Sequence, residues 1–162
     1  MFKPQTQFTN SMFGAYSYNN IIQRNQNHLL VRMNKLIDWS FVEEEVASCY
    51  SVKGQKAIHP ARIFKLLVCQ ALYNLSERDV CEQADCNIIF RYFAGLGLND
   101  DIPHWTDLGK FKERIGVENF ERLFYRVLNE AERLGIAISK KRTADSTDIK
   151  ANVDLKKCAQ DK

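Results

Sequence analysis

The sequence predicts a mainly α protein: a helical bundle over residues 27–135, followed from residue 136 by a short stretch with a β pattern. Apolar residues recur at the three- and four-residue spacing of amphipathic helices through most of the chain. Polar caps, proline and glycine separate these helical segments. The 162 residues are 45% hydrophobic and 27% charged, which is ordinary for a soluble protein and sufficient to bury one core.

Two features of composition bound the cellular context. No apolar run is long enough to span a bilayer, and the N-terminus lacks the apolar core of a signal peptide. We therefore expect cytoplasmic localisation and no membrane partner.

Residues 1–26 are polar and aromatic without a stable period, so we predict an irregular N-terminal arm.

The first helices are predicted from their caps and apolar faces. One begins at Asn27, and a second begins at Ser40, which stands at capping-box spacing from Glu43. Pro60 opens the most hydrophobic helix, because proline at the first helical position wastes no backbone donor. Apolar residues surround most of that helix, so we place it at the centre of the bundle.

Two short helices follow across a tight turn. Ser76 caps the first, and the second spans residues 88–94 and is stopped by Gly95. Such a pair after a buried helix resembles a helix-turn-helix. The polar side chains that this motif leaves free to meet phosphates or base edges are Arg78, Asn87, Arg91 and Tyr92. The alternative is that Arg91 only covers the bundle surface with its aliphatic stem.

The last helical segments follow a loop. Thr106 is predicted to cap a helix that Gly116 ends, and a final long helix runs to about Leu134 and stops at Gly135. His104, beside a tryptophan in the loop, is interpreted as part of a packing corner and not as a site.

The β pattern that follows contains the stretch from Lys141 to Asn152, in which Asp145 lies among small and hydroxyl side chains. An aspartate on a strand can serve as a metal ligand, and magnesium prefers carboxylate oxygens. Metal-assisted phosphoryl transfer needs several acidic groups around two ions, however, and Asp145 is one group. On the residues alone, a solvated aspartate in a capped loop is the favoured interpretation, and a metal ligand is the alternative.

The order of several motifs resembles the N-terminal part of bacterial insertion-sequence transposases of the DDE type. The matching landmarks are Leu36-Ile37-Asp38-Trp39-Ser40-Phe41, His59-Pro60, Leu66 to Arg78, Asn87, Phe90 to Phe93, Gly95-Leu96, Ile102 to Thr106, Phe111, Arg114 and Ala144 to Asn152. Together they cover about residues 30 to 153. The joint pattern is far more specific than any one of its pieces.

This resemblance implies a function and a division of the chain. Residues 27–135 would be the helical domain that binds DNA at the terminal inverted repeats, and residues 136–162 the start of a truncated ribonuclease H-like catalytic domain. Asp145 would be the first acid of the catalytic triad and a ligand of Mg²⁺, with its partner acids absent from these residues. Lys141, Arg142 and Lys150 would flank DNA phosphates.

Several functions remain open from the sequence. The leading expectation is a transposase fragment that binds DNA and is catalytically inactive alone, with a full-length transposase or a second copy as a possible partner. A second is a stand-alone DNA-binding regulator that occupies the element's ends and inhibits transposition. A third is a protein-interaction bundle or a non-functional helical remnant.

Overall fold

The structure, a computed structural model, describes residues 12–50 and 58–136. The elements in chain order are α1 (Met12–Arg24), α2 (Leu29–Leu36), α3 (Ser40–Val46), a 3₁₀ turn (Ala47–Cys49), α4 (Pro60–Tyr73), α5 (Glu77–Cys86), α6 (Ile88–Ala94) and α7 (Trp105–Arg133). These ranges are helical and contain no strand, which confirms the mainly α class. The β stub predicted after residue 136 lies outside the described residues.

The central helix of the bundle is α4. It packs against α3, α5, α6 and α7, and Pro60 stands at its first position as predicted. Side chains around nearly its whole circumference are buried, and the Phe64 ring meets Phe120 of α7 edge-on at 6.2 Å. Burial of a large apolar side chain contributes roughly 1.5–3 kcal/mol each. This helix therefore provides the scaffold on which α3, α5, α6 and α7 are placed.

The prediction of an irregular arm over residues 1–26 is wrong for residues 12–24, which form α1; residues 1–11 lie outside the described residues. Tyr18 and Ile22, four residues apart on one face of α1, are buried together with Val31 of α2. This small cluster packs against partly buried side chains of α6, including Ile89 and Tyr92. In the sequence, Tyr18 and Ile22 stand among other apolar, aromatic and polar residues, which obscures their four-residue spacing. The surface supplied by α2 and α6 stabilises the helix.

Each of the three histidines in the sequence caps a helix. The Nδ1 atom of His28 accepts the Leu30 backbone N–H at 3.2 Å at the start of α2, and His59 Nδ1 accepts that of Ala61 at 3.3 Å at the start of α4. At the start of α7, His104 Nδ1 lies 3.4 Å from the backbone nitrogen of Thr106. All three caps require an unprotonated Nδ1.

Two predicted caps are therefore wrong. His104, and not Thr106, caps α7, where it forms a capping box with Asp107. At α3 the Ser40–Glu43 box does not form. The Asp38 carboxylate instead accepts the backbone N–H of Ser40 at 3.0 Å and its hydroxyl at 2.9 Å. These bonds lower the pKa of Asp38.

The remaining helix boundaries lie where the sequence predicts them. Ser76 and Asp79 form a reciprocal capping box at α5, and Gly95 ends α6 in the left-handed conformation. Gly116 has φ 76° and ψ 166°, so α7 consists of two helical parts joined at a kink, as the predicted helix end implied. Gly135, at φ 63°, follows the end of α7.

Candidate nucleic-acid interface

The junction between α5 and α6 consists of one residue, Asn87. Its backbone N–H donates to the carbonyl of Gln83 at 2.8 Å and so ends α5. Its side-chain oxygen accepts the backbone N–H of Ile89 at 2.9 Å and so begins α6. The helix pair predicted from the sequence is present. The Asn87 oxygen is used in holding the two helices together.

The structure buries Arg91, which has 7% of its surface exposed. Its guanidinium donates to the carbonyl of Gly97 at 2.8 Å, to that of Leu98 at 3.1 Å and to that of Asp100. The prediction that Arg91 is free to meet phosphates is wrong, and so is the alternative that it covers the bundle surface. Arg91 therefore holds the loop after α6 in place through hydrogen bonds to the backbone carbonyls of that loop.

No side chain of α6 is fully exposed. Ile88, Ile89 and Tyr92 are partly buried, and the other positions are buried. The Tyr92 ring lies 6.2 Å from the Tyr18 ring, because α1 covers this side of α6. A recognition helix presents several side chains to base edges. In this arrangement α6 presents none, so the geometry gives no support to a recognition role for it.

Arg78, in contrast, extends into solvent from the first turn of α5. Its Nε lies 3.7 Å from Glu82, and both side chains are more than two-thirds exposed. An exposed pair of this kind contributes at most about 1 kcal/mol, so the guanidinium is available to another anion. Of the four residues predicted on the helix pair, Arg78 is the one with an exposed charged head.

The structure also contains a buried lysine that the sequence analysis missed. Lys65 of α4 is 8% exposed, and its ammonium donates to Asn34 Oδ1 at 2.7 Å. The ammonium lies 4.9 Å from the centre of the Trp39 ring and 5.8 Å from that of Phe93. Burial lowers the pKa of Lys65 to about 7. This cation links α2, α4 and α6 without a carboxylate partner among the described residues.

Two arginines of α7 form ion pairs with one glutamate of α3. Glu45 accepts hydrogen bonds from Arg122 and Arg126, each at 2.8 Å, and so ties α3 to α7. Burial opposes the charged form of Glu45, but these two bonds outweigh it and lower its pKa. The Arg126 guanidinium also stacks 4.3 Å over Phe41. These cations are part of the packing between helices.

The other predicted site residues, Lys141, Arg142, Asp145 and Lys150, lie outside the described residues. Within the described ranges, no group of three His, Cys, Asp or Glu side chains is arranged to hold a metal ion. None of the helices there has the length and apolar character that a bilayer span requires.

Comparison with known families decides the class of the chain. A family model described as a transposase domain (DUF772) matches residues 18–114. The chain belongs to this transposase domain family. The match begins in α1 at Tyr18 and ends in α7 two residues before the Gly116 kink, so the helices of the transposase domain include α1. The transposase resemblance is thereby confirmed. No curated protein and no solved structure matches the chain.

Proposed function

We propose that this transposase domain binds duplex DNA at the terminal inverted repeats of an insertion element. The family match over residues 18–114 carries the proposal. The described helices form a bundle with a buried centre, on which DNA-contacting side chains can be positioned. Binding of the ends is the step that places transposition chemistry on the correct phosphates.

The chemistry of the proposal comes from the segment after residue 136. Lys141, Arg142 and Lys150 would bind phosphates flanking the reaction site, and Asp145 would supply the first acidic ligand for Mg²⁺. When bound, that ion would polarise the scissile phosphate. Phosphoryl transfer of this kind needs several converging carboxylates, and the resemblance assigns one of them, Asp145, to this segment. We therefore expect no metal-dependent nicking of DNA by the 162-residue chain alone.

The test is a fluorescence-anisotropy titration of the whole chain with two labelled duplexes. One carries the terminal inverted repeat of the element, and the other is a scrambled duplex of equal length. Specific binding should exceed non-specific binding at least about 10³-fold at physiological salt and weaken steeply as salt rises. Equal affinity for both duplexes would refute end recognition.

A matched pair of variants locates the contribution of the basic segment. Replacement of Lys141, Arg142 and Lys150 with Ala should weaken binding to both duplexes, since phosphate contacts are independent of sequence. The control replaces three other cations of the same segment, Lys156, Lys157 and Lys162, with Ala and so makes the same change in net charge. Equal losses in both variants would contradict the assignment of phosphate contacts to the first three.

A further inference from the structure

The charges of the described residues are distributed unevenly between the first two helices and the rest. Residues 12–37, which form α1, α2 and the turn between them, contain no Asp or Glu. All 16 acidic residues of the described ranges lie in 38–50 and 58–136, and the described ranges as a whole carry 13 Lys and Arg. Most of the bundle surface therefore repels a phosphate backbone, and α1 with α2 does not.

The cations of this region differ from those elsewhere in their partners. Arg24, Arg32 and Lys35 form no ion pair within the described residues. On α5 and α7, by contrast, most cations pair with a carboxylate: Arg78, Lys110, Lys112, Arg122, Arg126 and Arg133. A phosphate that approaches α1 and α2 therefore displaces no carboxylate from these three side chains.

The exposed side chains around these cations are also suited to nucleic acid. The turn between α1 and α2 exposes Asn25, Gln26 and Asn27, and on α1 Gln23 is exposed and Tyr16 is 71% exposed. Amide side chains donate to phosphates and pair with adenine edges, and an exposed tyrosine ring contacts sugars or bases. We call the exposed side chains of residues 16–35, together with the half-buried Arg32, the acid-free surface.

Packing holds the acid-free surface on the bundle. Tyr18 and Ile22 anchor α1, and the Arg32 guanidinium donates to the Gly135 carbonyl at 3.4 Å, which places the end of α7 beside α2. In sequence, the basic residues Lys140 to Arg142 begin five residues after Gly135. The surface is thus adjacent to the point where the chain leads into the basic segment.

We propose that the acid-free surface binds the phosphate backbone of duplex DNA through Arg24, Arg32 and Lys35. The inference rests on the proposed function. It places the main DNA contact of the helical bundle on α1 and α2 instead of on the α5–α6 pair.

The experiment compares two triple variants of the whole chain on a mixed-sequence duplex of about 30 base pairs, three helical turns. The first variant replaces Arg24, Arg32 and Lys35 with Ala. The control makes the same change of charge at the ion-paired and more than half-exposed Lys110, Arg122 and Arg133 of α7. Anisotropy titrations over a range of salt concentrations give the affinity and its salt slope.

We expect the first variant to lose affinity and to lower the slope of log K against log salt by about 0.9 for each phosphate contact removed, and the control to change neither. Equal losses in both variants would overturn the surface assignment, and so would binding that the first variant leaves intact. A wild-type chain that binds no duplex would refute the proposed function itself. Far-UV circular dichroism checks that each variant folds. The Arg24→Glu/Lys35→Glu variant, which spares the Arg32 bond to α7, should lose at least as much affinity as the first variant.

Discussion

Replacing Lys65 with Met should stabilise the protein, although the lysine lies in the core. Methionine keeps a long flexible stem and removes a charge that has no carboxylate partner among the described residues. Burial lowers the pKa of Lys65 from 10.5 to about 7. That difference corresponds to about 5 kcal/mol of unfavourable free energy for the charged form in the folded state, of which about 4 kcal/mol applies near pH 7.

The replacement also removes favourable contacts. Asn34 loses a 2.7 Å hydrogen bond, and the ammonium no longer lies over the Trp39 and Phe93 rings. Loss of the bond costs about 1 kcal/mol and loss of the cation–π contacts about 1 kcal/mol more. The net expectation is a gain of about 2 kcal/mol in the free energy of unfolding at pH 7. The exposed Lys35→Met serves as a control and should change it by less than about 0.5 kcal/mol.

Urea unfolding as a function of pH gives the sharper test. The pKa of Lys65 is lower in the folded state than in the unfolded state. Above about pH 10 the side chain is neutral in both states and does not destabilise the fold, and as the pH falls towards about 7 the free energy of unfolding decreases because the unfolded state binds the proton more tightly. The stability of the wild type should therefore rise by up to about 1.4 kcal/mol per pH unit in this window relative to Lys65→Met. Parallel pH profiles for the two proteins, together with a variant no more stable than wild type, would refute the reasoning.

Three further predictions concern caps, the buried arginine and the kink. Burial lowers the pKa values of His28 and His59, so the free energy of unfolding should fall as the pH drops below about 6.5. Replacement of both histidines by Asn, a cap that does not titrate, should flatten this pH dependence in urea unfolding. Arg91→Ala should cost about 3–5 kcal/mol in the same assay, because several loop carbonyls lose their donor, with Arg91→Lys intermediate. Gly116→Ala should lower the free energy of unfolding by about 1–3 kcal/mol, because φ 76° is strained for alanine. Gly109→Ala, in the helical part of α7 with ordinary contacts around its added Cβ, should leave stability unchanged or raise it by up to about 1 kcal/mol.

Local signals in the sequence predicted most of the helices. Pro60 at a helix start, the Ser76 capping box and the Gly116 break depend on a few neighbouring residues, and the structure shows each of them. The apolar circumference of α4 likewise required no tertiary information. The family resemblance came from the order of such motifs, and the family match confirms it. The division into a helical domain and a catalytic stub stays a prediction.

The misses have two physical causes: contacts made outside the residue's own helix, and an uncommon choice of capping residue. Tyr18 and Ile22 became a helix face because α6 lies opposite them. Arg91 is buried because the loop after Gly95 returns over it, and two glycines close behind an arginine in the sequence were the available signal. Histidine caps were missed because serine and threonine are the commoner choice, so Thr106 was favoured over His104.

The hydrogen bonds of Arg91 have a consequence for the order of folding. The carbonyls that it binds, from Ala84 to Asp100, lie six to nine residues away in sequence. Closing such short loops carries a small entropic cost, so this segment can assemble before distant helices meet. The α5–α6 corner and its loop would then act as an early folding nucleus on which α4 and α7 dock, and substitutions there would slow folding more than they speed unfolding.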